Sequence, residues 1–269
     1  MCEIHINLYL YIMNDTKQYT GGLDDTSVFL PNVSIDCVVI GFDLQQLQIL
    51  LLKLKEHDLW MLPGGFIHLD EDMDQAATRI LEERTGIKLP YLKQFHTFGD
   101  VNRNKKTTFP EVKQMPEEIF KKVIAFVEQR FISSGYLSLV DIQSCAPTPD
   151  AISDQCTWQA VKQLPQLLYD HKEIVEKAME QLRSRINYMP VGNSLLPEKF
   201  TMKEFQTLYE QILSKSLDRG NFQKKMLKLG FLDRHEKQLS GGAHKAPYLY
   251  SFNMHRYNEL IEKGIGYIS

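Results

Sequence analysis

The segment from Trp60 to Ile87 constrains the fold more than any other part of this 269-residue chain. It begins with Trp-Met-Leu-Pro-Gly-Gly, in which one proline and two glycines break the chain sharply. The pattern then changes to helical spacing from Asp70 to Thr85, with an apolar stripe formed by Ala76, Ala77, Ile80 and Leu81. Gly86 supplies a stop signal, and four acids crowd the predicted first turn, where carboxylates favour the helix dipole. The segment therefore predicts a tight loop followed at once by a helix.

Strand patterns surround this loop and helix. Apolar runs rich in β-branched residues predict strands at 33–43, 47–54, 91–98 and 135–143. Helical spacing predicts an amphipathic helix at 117–131, whereas residues 103–112 and 145–154 have the composition of loops. The first part of the chain should therefore combine a sheet with at least two helices.

After residue 167 the pattern is mainly helical. Apolar residues at helical intervals predict helices at 170–186, 200–213 and 218–229. In the second of these, Thr201 is the predicted N-cap, and Glu204 three residues later completes a capping box. Short strands are predicted at 231–234 and 248–252 around a Gly241-Gly242 turn. Three helices followed by a hairpin is the order of a winged helix.

The charge of the chain is distributed unevenly. Residues 215–256 contain nine basic and three acidic residues, a net charge of +6, which leaves −9 for the rest of a chain whose total is −3. An acidic body with a basic tail favours contact between that tail and a polyanion. The alternative is a solvated surface whose charge is merely uneven.

Composition indicates an ordinary two-domain globular protein. Apolar residues make up 43% of the chain and charged residues 24%, a balance that argues against general disorder. The four cysteines form no C-x-x-C pair, so neither a zinc site nor a disulfide framework is expected. The apolar start at residues 1–12 lacks the features of a signal peptide, and no membrane-spanning run follows. We therefore expect a cytoplasmic protein that requires no cofactor and does not bind membranes.

Residues 65–87 resemble the Nudix signature G-x5-E-x7-R-E-U-x-E-E-x-G-U, where U is a bulky aliphatic residue. The matching residues are Gly65, Glu71, Arg79, Leu81, Glu83, Gly86 and Ile87, and Trp60, Leu62 and Pro63 match the usual W-x-L-P-G-G entry. Two residues depart from the signature, because Ile80 and Arg84 stand where it has glutamates. In Nudix hydrolases these glutamates share one helix face and hold Mg²⁺, which needs oxygen ligands to activate water. With Glu83 alone remaining, we expect no metal site and no catalytic residues.

The polar residues that match the signature allow two interpretations. Glu71, Arg79 and Glu83 can hold loop and helix together through hydrogen bonds, or they can contact an effector in the former substrate cleft. In the same way Trp60 can pack against a ligand ring, although a core position is the more common fate of a tryptophan. The candidate effector contacts are Trp60, Glu71, Arg79, Glu83, Arg84 and Arg103.

The C-terminal half extends the resemblance. The run from Trp158 to Ile174, together with LLPEKFTMKEFQTLYEQIL and SLDRGNFQKKMLKLG between residues 195 and 230, resembles Nudix-related transcriptional regulators of the NrtR type, which include sugar-catabolism regulators of Bacteroidetes. The resemblance covers about residues 33–263, with one insertion at about 105–134. It implies an α+β protein in which a Nudix-type α/β/α sandwich with a mixed sheet precedes a winged helix-turn-helix domain. We expect these domains at 26–166 and 167–269, after an N-terminal extension at 1–25 that contains a second candidate start, Met13.

The resemblance also implies partners. It implies a homodimer that binds a palindromic operator in double-stranded DNA, with half-sites about one helical turn, roughly 34–36 Å, apart. Regulators of this type sense either an ADP-ribose-like nucleotide or a sugar. Because the metal carboxylates are missing, we expect an uncharged sugar and rank the nucleotide second.

The expected DNA contacts lie on the helix at 218–229, on the hairpin and at the start of the helix at 200–213. Arginine and lysine reach phosphates or guanine edges, and asparagine can pair with adenine. These residues are Thr201, Arg219, Asn221, Lys224, Lys225, Lys228, Arg234, His235, Lys237, His244 and Lys245. On the other side of the helix, the residues expected to face the core are Phe222, Met226, Leu227 and Leu229.

Two other functions remain open from the sequence. The chain could be a Nudix hydrolase of nucleoside diphosphate derivatives, although the loss of two glutamates argues against it. It could also be a protein-interaction module whose basic helix binds an acidic partner.

Overall fold

The computed structural model describes residues 26–88, 92–105, 117–150, 152–186, 191–238 and 246–262. The predicted N-terminal extension, the predicted Gly241-Gly242 turn and the DNA-contact candidates His244 and Lys245 lie outside the described residues. The chain divides into two compact units. The second unit consists of Val39–Ile49, Leu139–Cys145 and the described residues from Met179 onward, and the first contains the other described residues.

In the described part of the chain, a seven-stranded sheet dominates the region before residue 161. Its strands are β1 (Phe29–Phe42), β2 (Leu47–Leu54), β3 (Trp60–Met61), β4 (Gly64–His68), β5 (Lys93–Phe98), β6 (Ile132–Val140) and β7 (Ser153–Ala160). The order is β3-β2-β1-β6-β5, with β4 also paired to β1 and β7 to β2. β1 pairs antiparallel with β2 and β4, and so do β2 with β3 and β5 with β6. Residues 35–42 of β1 are all buried, as expected for an apolar strand covered on both faces.

Helix α1 (Met73–Thr85) follows β4, as the sequence predicts. Its N-cap is Asp72, whose carboxylate accepts hydrogen bonds from two backbone N–H groups of the first turn. Asp70 and Glu71 therefore precede the helix, which corrects the expectation that they lie in its first turn. Gly86 ends the helix with a φ of 69°, a left-handed conformation that glycine adopts without steric cost.

Helix α2 (Glu117–Val127) lies within the predicted insertion. Three of its side chains pack with Phe29 and Phe131, and they are Val123, Phe126 and Val127. Phe66 of β4 joins this cluster, with its ring centroid 4.8 Å from that of Phe126. Aromatic packing therefore attaches the described part of the insertion to the strand that precedes α1.

The described C-terminal part contains five helices and a three-stranded sheet. The elements are α3 (His171–Arg185), α4 (Val191–Leu195), β8 (Phe200–Thr201), α5 (Met202–Leu213), α6 (Arg219–Lys228), β9 (Leu232–Lys237), β10 (Tyr248–Phe252) and α7 (Met254–Glu262). The sheet order is β8-β10-β9, and both pairs are antiparallel. The three predicted helices and the two predicted hairpin strands are therefore confirmed, whereas α4 and α7 were not predicted.

Aromatic rings form the core beneath α5 and α6. The ring of Phe205 lies 5.5 Å from those of Phe222 and Phe252. Met226 is buried as predicted, but Leu227 is 43% exposed. The expectation that Leu227 faces the core is wrong, because one residue along a helix is a rotation of about 100°.

Among the described residues, no helix has the length and apolar composition needed to cross a lipid bilayer. Cys37, Cys145 and Cys156 are free thiols.

Candidate functional site

Arg79 joins helix α1 to the loop that precedes it. Its Nε and Nη2 atoms donate to the two carboxylate oxygens of Glu71 over 2.9 and 2.5 Å. Nη2 also donates to the carbonyl oxygen of Phe66, and Nη1 donates to Glu83 Oε2, each over 2.9 Å. Glu71 in turn accepts a hydrogen bond of 2.8 Å from the backbone N–H of His68. Hydrogen bonds of this kind are expected if Glu71, Arg79 and Glu83 hold the loop and the helix together.

The surroundings of this ion pair keep both of its partners charged. Burial alone would raise the pKa of Glu71, but hydrogen bonds from Arg79 and from the His68 backbone hold that pKa below its ordinary value. Burial alone would lower the pKa of Arg79, but the carboxylates of Glu71 and Glu83 raise it above its ordinary value. The pair is therefore a permanent charged joint between loop and helix.

The two departures from the Nudix signature place an apolar side chain and a cation where carboxylates would stand. Ile80 is buried, and a Cβ atom on Gly65 would lie only 3.1 Å from its Cγ1 atom. Arg84 forms an ion pair with the Asp150 carboxylate, and its Nη2 lies 3.4 Å from the sulfur of Met61. Position 80 thus packs against the loop, and position 84 carries a positive charge.

Glu83 is the one of the three metal-binding glutamates of the Nudix signature that this chain retains, and it already accepts a hydrogen bond from Arg79. Among the described residues, no group of three His, Cys, Asp or Glu side chains is placed to hold a metal ion. Mg²⁺ requires a near-octahedral set of oxygen ligands, and in phosphate sites the protein supplies one or two carboxylates that must be available to the metal. The residues present therefore do not fit the divalent metal of Nudix hydrolases.

An open groove of about 1150 Å³ lies beside α1. Its charged lining residues are four acids and one base, namely Asp72, Asp74, Glu82, Glu83 and Arg79. Tyr136 of β6 also lines it, and its hydroxyl donates to Asp74 Oδ1 over 2.7 Å. Of the six predicted effector contacts, the groove brings together Arg79 and Glu83.

Arg103 lies in a buried charge network and is only 4% exposed. Its Nε and Nη2 atoms each donate to one oxygen of Asp170 over 2.8 Å, and Nη2 lies 3.5 Å from Asp36 Oδ2. The hydroxyl of Ser133 donates to the same Asp36 oxygen over 2.5 Å, and the other Asp36 oxygen lies 3.4 Å from His171 Nε2. The guanidinium predicted to contact an effector is therefore already engaged inside the domain, in a bidentate ion pair.

His171 is the neutral member of this network. Its Nδ1 atom accepts a hydrogen bond of 3.0 Å from the backbone N–H of Leu62, so the ring proton lies on Nε2, towards Asp36. Burial, the largest effect, lowers the pKa of His171 below its ordinary value despite the nearby Asp36 and Asp170 carboxylates. A second proton would break the bond to Leu62. The neutral imidazole thus ties the loop before β4 to the first turn of α3.

Trp60 occupies a core position. It is 8% exposed, its backbone N–H donates to the carbonyl of Gln166 over 3.0 Å, and its carbonyl accepts from Leu168 over 2.8 Å. The structure therefore gives this tryptophan the packing role that was the alternative to a ligand contact.

The predicted DNA contacts on α6 lie mainly on an exposed surface. Arg219, Asn221, Lys224 and Lys228 are exposed, and Lys225 is half-buried. The carboxylate of Asp218 caps the helix by accepting from the Asn221 N–H over 2.8 Å. Phe222 and Met226 are buried, so one face of α6 packs into the aromatic core while the other presents cations that could enter a major groove.

The other predicted DNA contacts occupy three different environments. Arg234 and Lys237 of β9 are exposed. His235 is half-buried, with Nε2 2.7 Å from the hydroxyl of Ser251. Thr201 is 7% exposed and forms the predicted capping box, because its hydroxyl accepts from the Glu204 N–H and its own N–H donates to the Glu204 carboxylate.

Sequence reasoning missed three residues that these environments depend on. Asp150 neutralises Arg84, Asp36 lies beside Arg103, and Tyr248 contacts two cations of the hairpin. For Asp36 a signal existed, because a carboxylate inside the apolar run of β1 cannot be buried without a partner. The sequence around Asp150 and Tyr248 carries no comparable signal.

Comparison with known protein families finds two matches within the chain. The NUDIX domain matches residues 30–181, and the NrtR DNA-binding winged helix domain matches residues 192–252. The second match includes α5, α6 and both strands of the hairpin. The predicted fold, a Nudix-type domain followed by a winged helix, is confirmed.

Three known proteins are similar to this chain over most of its length. The ADPR responsive transcriptional repressor NtrR of Acinetobacter baylyi is 28% identical over 233 residues, which cover 85% of this chain and 84% of the relative. The crystal structure of Shewanella oneidensis NrtR complexed with a 27mer DNA is 26% identical, with a TM-score of 0.62 and coverage of 84% of this chain and 95% of that one. A MutT/nudix family protein from Enterococcus faecalis, at 19% identity and a TM-score of 0.58, shares the fold over 83% of this chain and 86% of its own.

Replacing Arg103 with Met should strongly destabilise the protein. The change leaves Asp36 and Asp170 buried without their cation, and breaking a buried ion pair in this way costs about 3–5 kcal/mol. Urea denaturation of the full chain measures the loss. Asp58→Asn is the matched control, because Asp58 pairs with Lys53 on the surface at 93% exposure and its loss should change little. An Arg103→Met protein as stable as the control would contradict the structural role of the network.

His171 should make the stability depend on pH. The pKa of His171 is depressed in the folded protein, so below about pH 6.5 the unfolded chain takes up a proton at this residue and the folded protein does not. The contribution of neutral His171 to the free energy of unfolding is therefore complete above about pH 6.5 and declines as the pH falls below it. In His171→Asn the side-chain oxygen can still accept from the Leu62 N–H, but the pH-dependent contribution of residue 171 to the free energy of unfolding is absent. The difference in unfolding free energy between wild type and variant should therefore shrink by roughly 1 kcal/mol between pH 7.5 and pH 5.5. Parallel stability curves over this range would rule the effect out.

Proposed function

This chain belongs to the NUDIX domain family and carries an NrtR DNA-binding winged helix domain, and we propose that it is a transcriptional regulator whose NUDIX domain binds an effector without hydrolysing it. The observation that carries the proposal is the pairing of two features in one chain. One is a winged helix with an exposed basic helix, and the other is a Nudix loop and helix whose metal-ligand positions hold Ile80 and Arg84.

DNA is the macromolecular partner in this proposal. Exposed cations lie on α6 and β9, in the segment where the net charge is +6, and the matched Shewanella oneidensis protein was crystallised with a 27mer DNA. Phosphate contacts by such cations give affinity and register, and the polar side chains of a helix in the major groove read the bases. By the same resemblance the DNA would be a palindromic operator and the protein a homodimer.

ADP-ribose is the effector that we propose, in place of the uncharged sugar expected from the sequence. The sugar has no support among the relatives described above, whereas the Acinetobacter baylyi repressor is named for its response to ADPR. The expectation of a sugar rested on the missing metal carboxylates, but their loss has the opposite electrostatic consequence. With Ile80 in one of these positions and Arg84, paired with Asp150, in the other, two negative charges of the signature are absent from α1. A diphosphate therefore meets less repulsion there in the absence of a metal.

Hydrolysis is not part of the proposed function. Cleavage of a pyrophosphate by a Nudix mechanism needs carboxylates that hold a metal and activate water. Here Glu83 is hydrogen-bonded to Arg79, and Arg84 is paired with Asp150. The domain would therefore recognise the nucleotide and leave its bonds intact.

Effector binding would alter DNA binding through a change in the dimer. A ligand shifts such an equilibrium only by its difference in affinity for the DNA-competent and DNA-incompetent forms. In this proposal ADP-ribose favours one of the two spacings between the recognition helices of the dimer.

Binding of ADP-ribose to the full-length protein should not depend on a divalent metal. Isothermal titration calorimetry with ADP-ribose should give the same affinity, within about twofold, in EDTA and in Mg²⁺, and chromatography should recover the nucleotide intact. Arabinose and xylose are the controls for a sugar effector. Tight binding of a sugar alone would refute the proposed effector, and metal-dependent release of AMP would replace the regulator by a hydrolase.

Replacing Lys224 and Lys228 together with alanine should weaken DNA binding without unfolding the protein. Each exposed lysine that contacts a phosphate contributes about 0.9 to the slope of log K against log salt, so the magnitude of the slope should fall by roughly 2. A gel-shift series with the DNA upstream of the protein's own gene, at several salt concentrations, measures this slope. Lys121→Ala with Lys122→Ala removes the same charge from exposed positions of α2 and should leave it unchanged. Equal slopes for the two double variants would show that α6 does not contact DNA.

A further inference from the structure

The β9–β10 hairpin carries an irregularity that determines where its side chains point. Lys237 pairs with Tyr248 and Arg234 pairs with Tyr250, so three residues of β9 span the same length as two residues of β10. This is a β-bulge with one extra residue in β9. In a regular strand, residues three apart point to opposite sides. The bulge therefore brings Arg234 and Lys237 to the side of the hairpin on which Tyr248 lies, because directly paired residues share a side of the sheet.

The ring of Tyr248 is the common neighbour of these two cations. The guanidinium carbon of Arg234 lies 4.7 Å from the ring centroid, and the Nζ atom of Lys237 lies 5.3 Å from it. Both distances are within the range in which the negative face of an aromatic ring attracts a cation. Tyr248 remains 40% exposed, so this cluster of two cations on one tyrosine is open to solvent.

Arg234 and Lys237 carry like charges and contact the same ring, so an attractive interaction must offset their repulsion. In the part of the chain that the structure describes, neither Arg234 nor Lys237 forms an ion pair with a carboxylate. Both side chains are long and flexible, and both would lose rotamer freedom on binding a ligand. Attraction to the shared ring offsets part of their repulsion and restricts them before any ligand arrives.

We infer that Tyr248 is a positioning residue for DNA binding, and that its ring holds Arg234 and Lys237 as a paired cation site for backbone phosphates. The inference rests on the proposed function, because it assigns the site to the nucleic acid bound by the winged helix. Two cations held at one ring match the repeated negative charge of a phosphate backbone. The tyrosine itself supplies the ring face, and its hydroxyl is not required.

Two substitutions at Tyr248 separate the ring from the hydroxyl. Tyr248→Phe keeps the aromatic face and should bind operator DNA as the wild type does, within about twofold. Tyr248→Leu keeps an apolar side chain in β10 but removes the ring, and it should weaken binding about 5- to 10-fold and lower the magnitude of the salt slope by about 1 to 2. Circular dichroism, the urea midpoint and ADP-ribose titration verify that each variant remains folded.

A double-mutant cycle tests whether the ring acts through the two cations. In a protein that already carries Arg234→Ala and Lys237→Ala, the additional change Tyr248→Leu should cause no further loss of DNA affinity, since coupled residues are not additive. A Tyr248→Leu protein with wild-type affinity and slope would overturn this inference alone, as would full additivity in the cycle. A wild-type protein that binds no duplex DNA at all would overturn the proposed function, and this inference with it.

Discussion

The guanidinium of Arg79 is the interaction on which the Nudix-like part of the structure depends. Its hydrogen bonds fix the carboxylate of Glu71, the carbonyl of Phe66 and the carboxylate of Glu83 in one place. The loop before α1 can therefore not change shape without breaking a charged joint that is partly shielded from water. The same joint occupies Glu83, which is the last carboxylate of the set that would ligate a metal. Glu71 and Arg79, which hold loop and helix together, are thus distinct from Ile80 and Arg84, which stand where the signature has glutamates.

Burial separates the arginines of this protein by role. Arg103, at 4% exposure, balances Asp36 and Asp170 in the interior, and a buried charge of this kind stabilises the fold only as long as its partners are present. Arg84 pairs with Asp150 at the place where the signature has a glutamate. Arg219 and Arg234 are exposed, so their charge is available to an anionic partner. A count of basic residues along the chain does not distinguish these cases.

The winged helix combines an aromatic interior with a charged exterior. Rings around Phe205 fill the space beneath α5 and α6, so the exposed face of α6 needs no packing contacts of its own and can carry cations. On the hairpin, one extra residue in β9 turns Lys237 towards the ring that also contacts Arg234. In both places the interior fixes the backbone, and the backbone determines which charges lie together on the surface.

The sequence by itself determined the features that depend on neighbours within a few residues. The end of α1 at Gly86 and the capping box between Thr201 and Glu204 follow from hydrogen bonds between residues three or four positions apart. The Nudix signature is also local, because one loop and one helix carry all of its residues. Its spacing could therefore be recognised in the sequence, and it predicted the fold of the first domain. Short elements such as β8 and α4 escaped prediction, because a few residues carry too little periodicity to distinguish a strand or helix from a loop.

Only the tertiary structure decided which charges are buried and which are free. Arg103 and Asp170 are 67 residues apart, and the pairing of Arg84 with Asp150 likewise joins distant segments of the chain. Such pairs form because the fold excludes water from both partners, and no local pattern records that exclusion. Arg103 was predicted to contact an effector from its residue type, and only the structure shows its guanidinium paired with Asp170 in the interior. The contact of Tyr248 with two cations likewise depends on the bulge in β9.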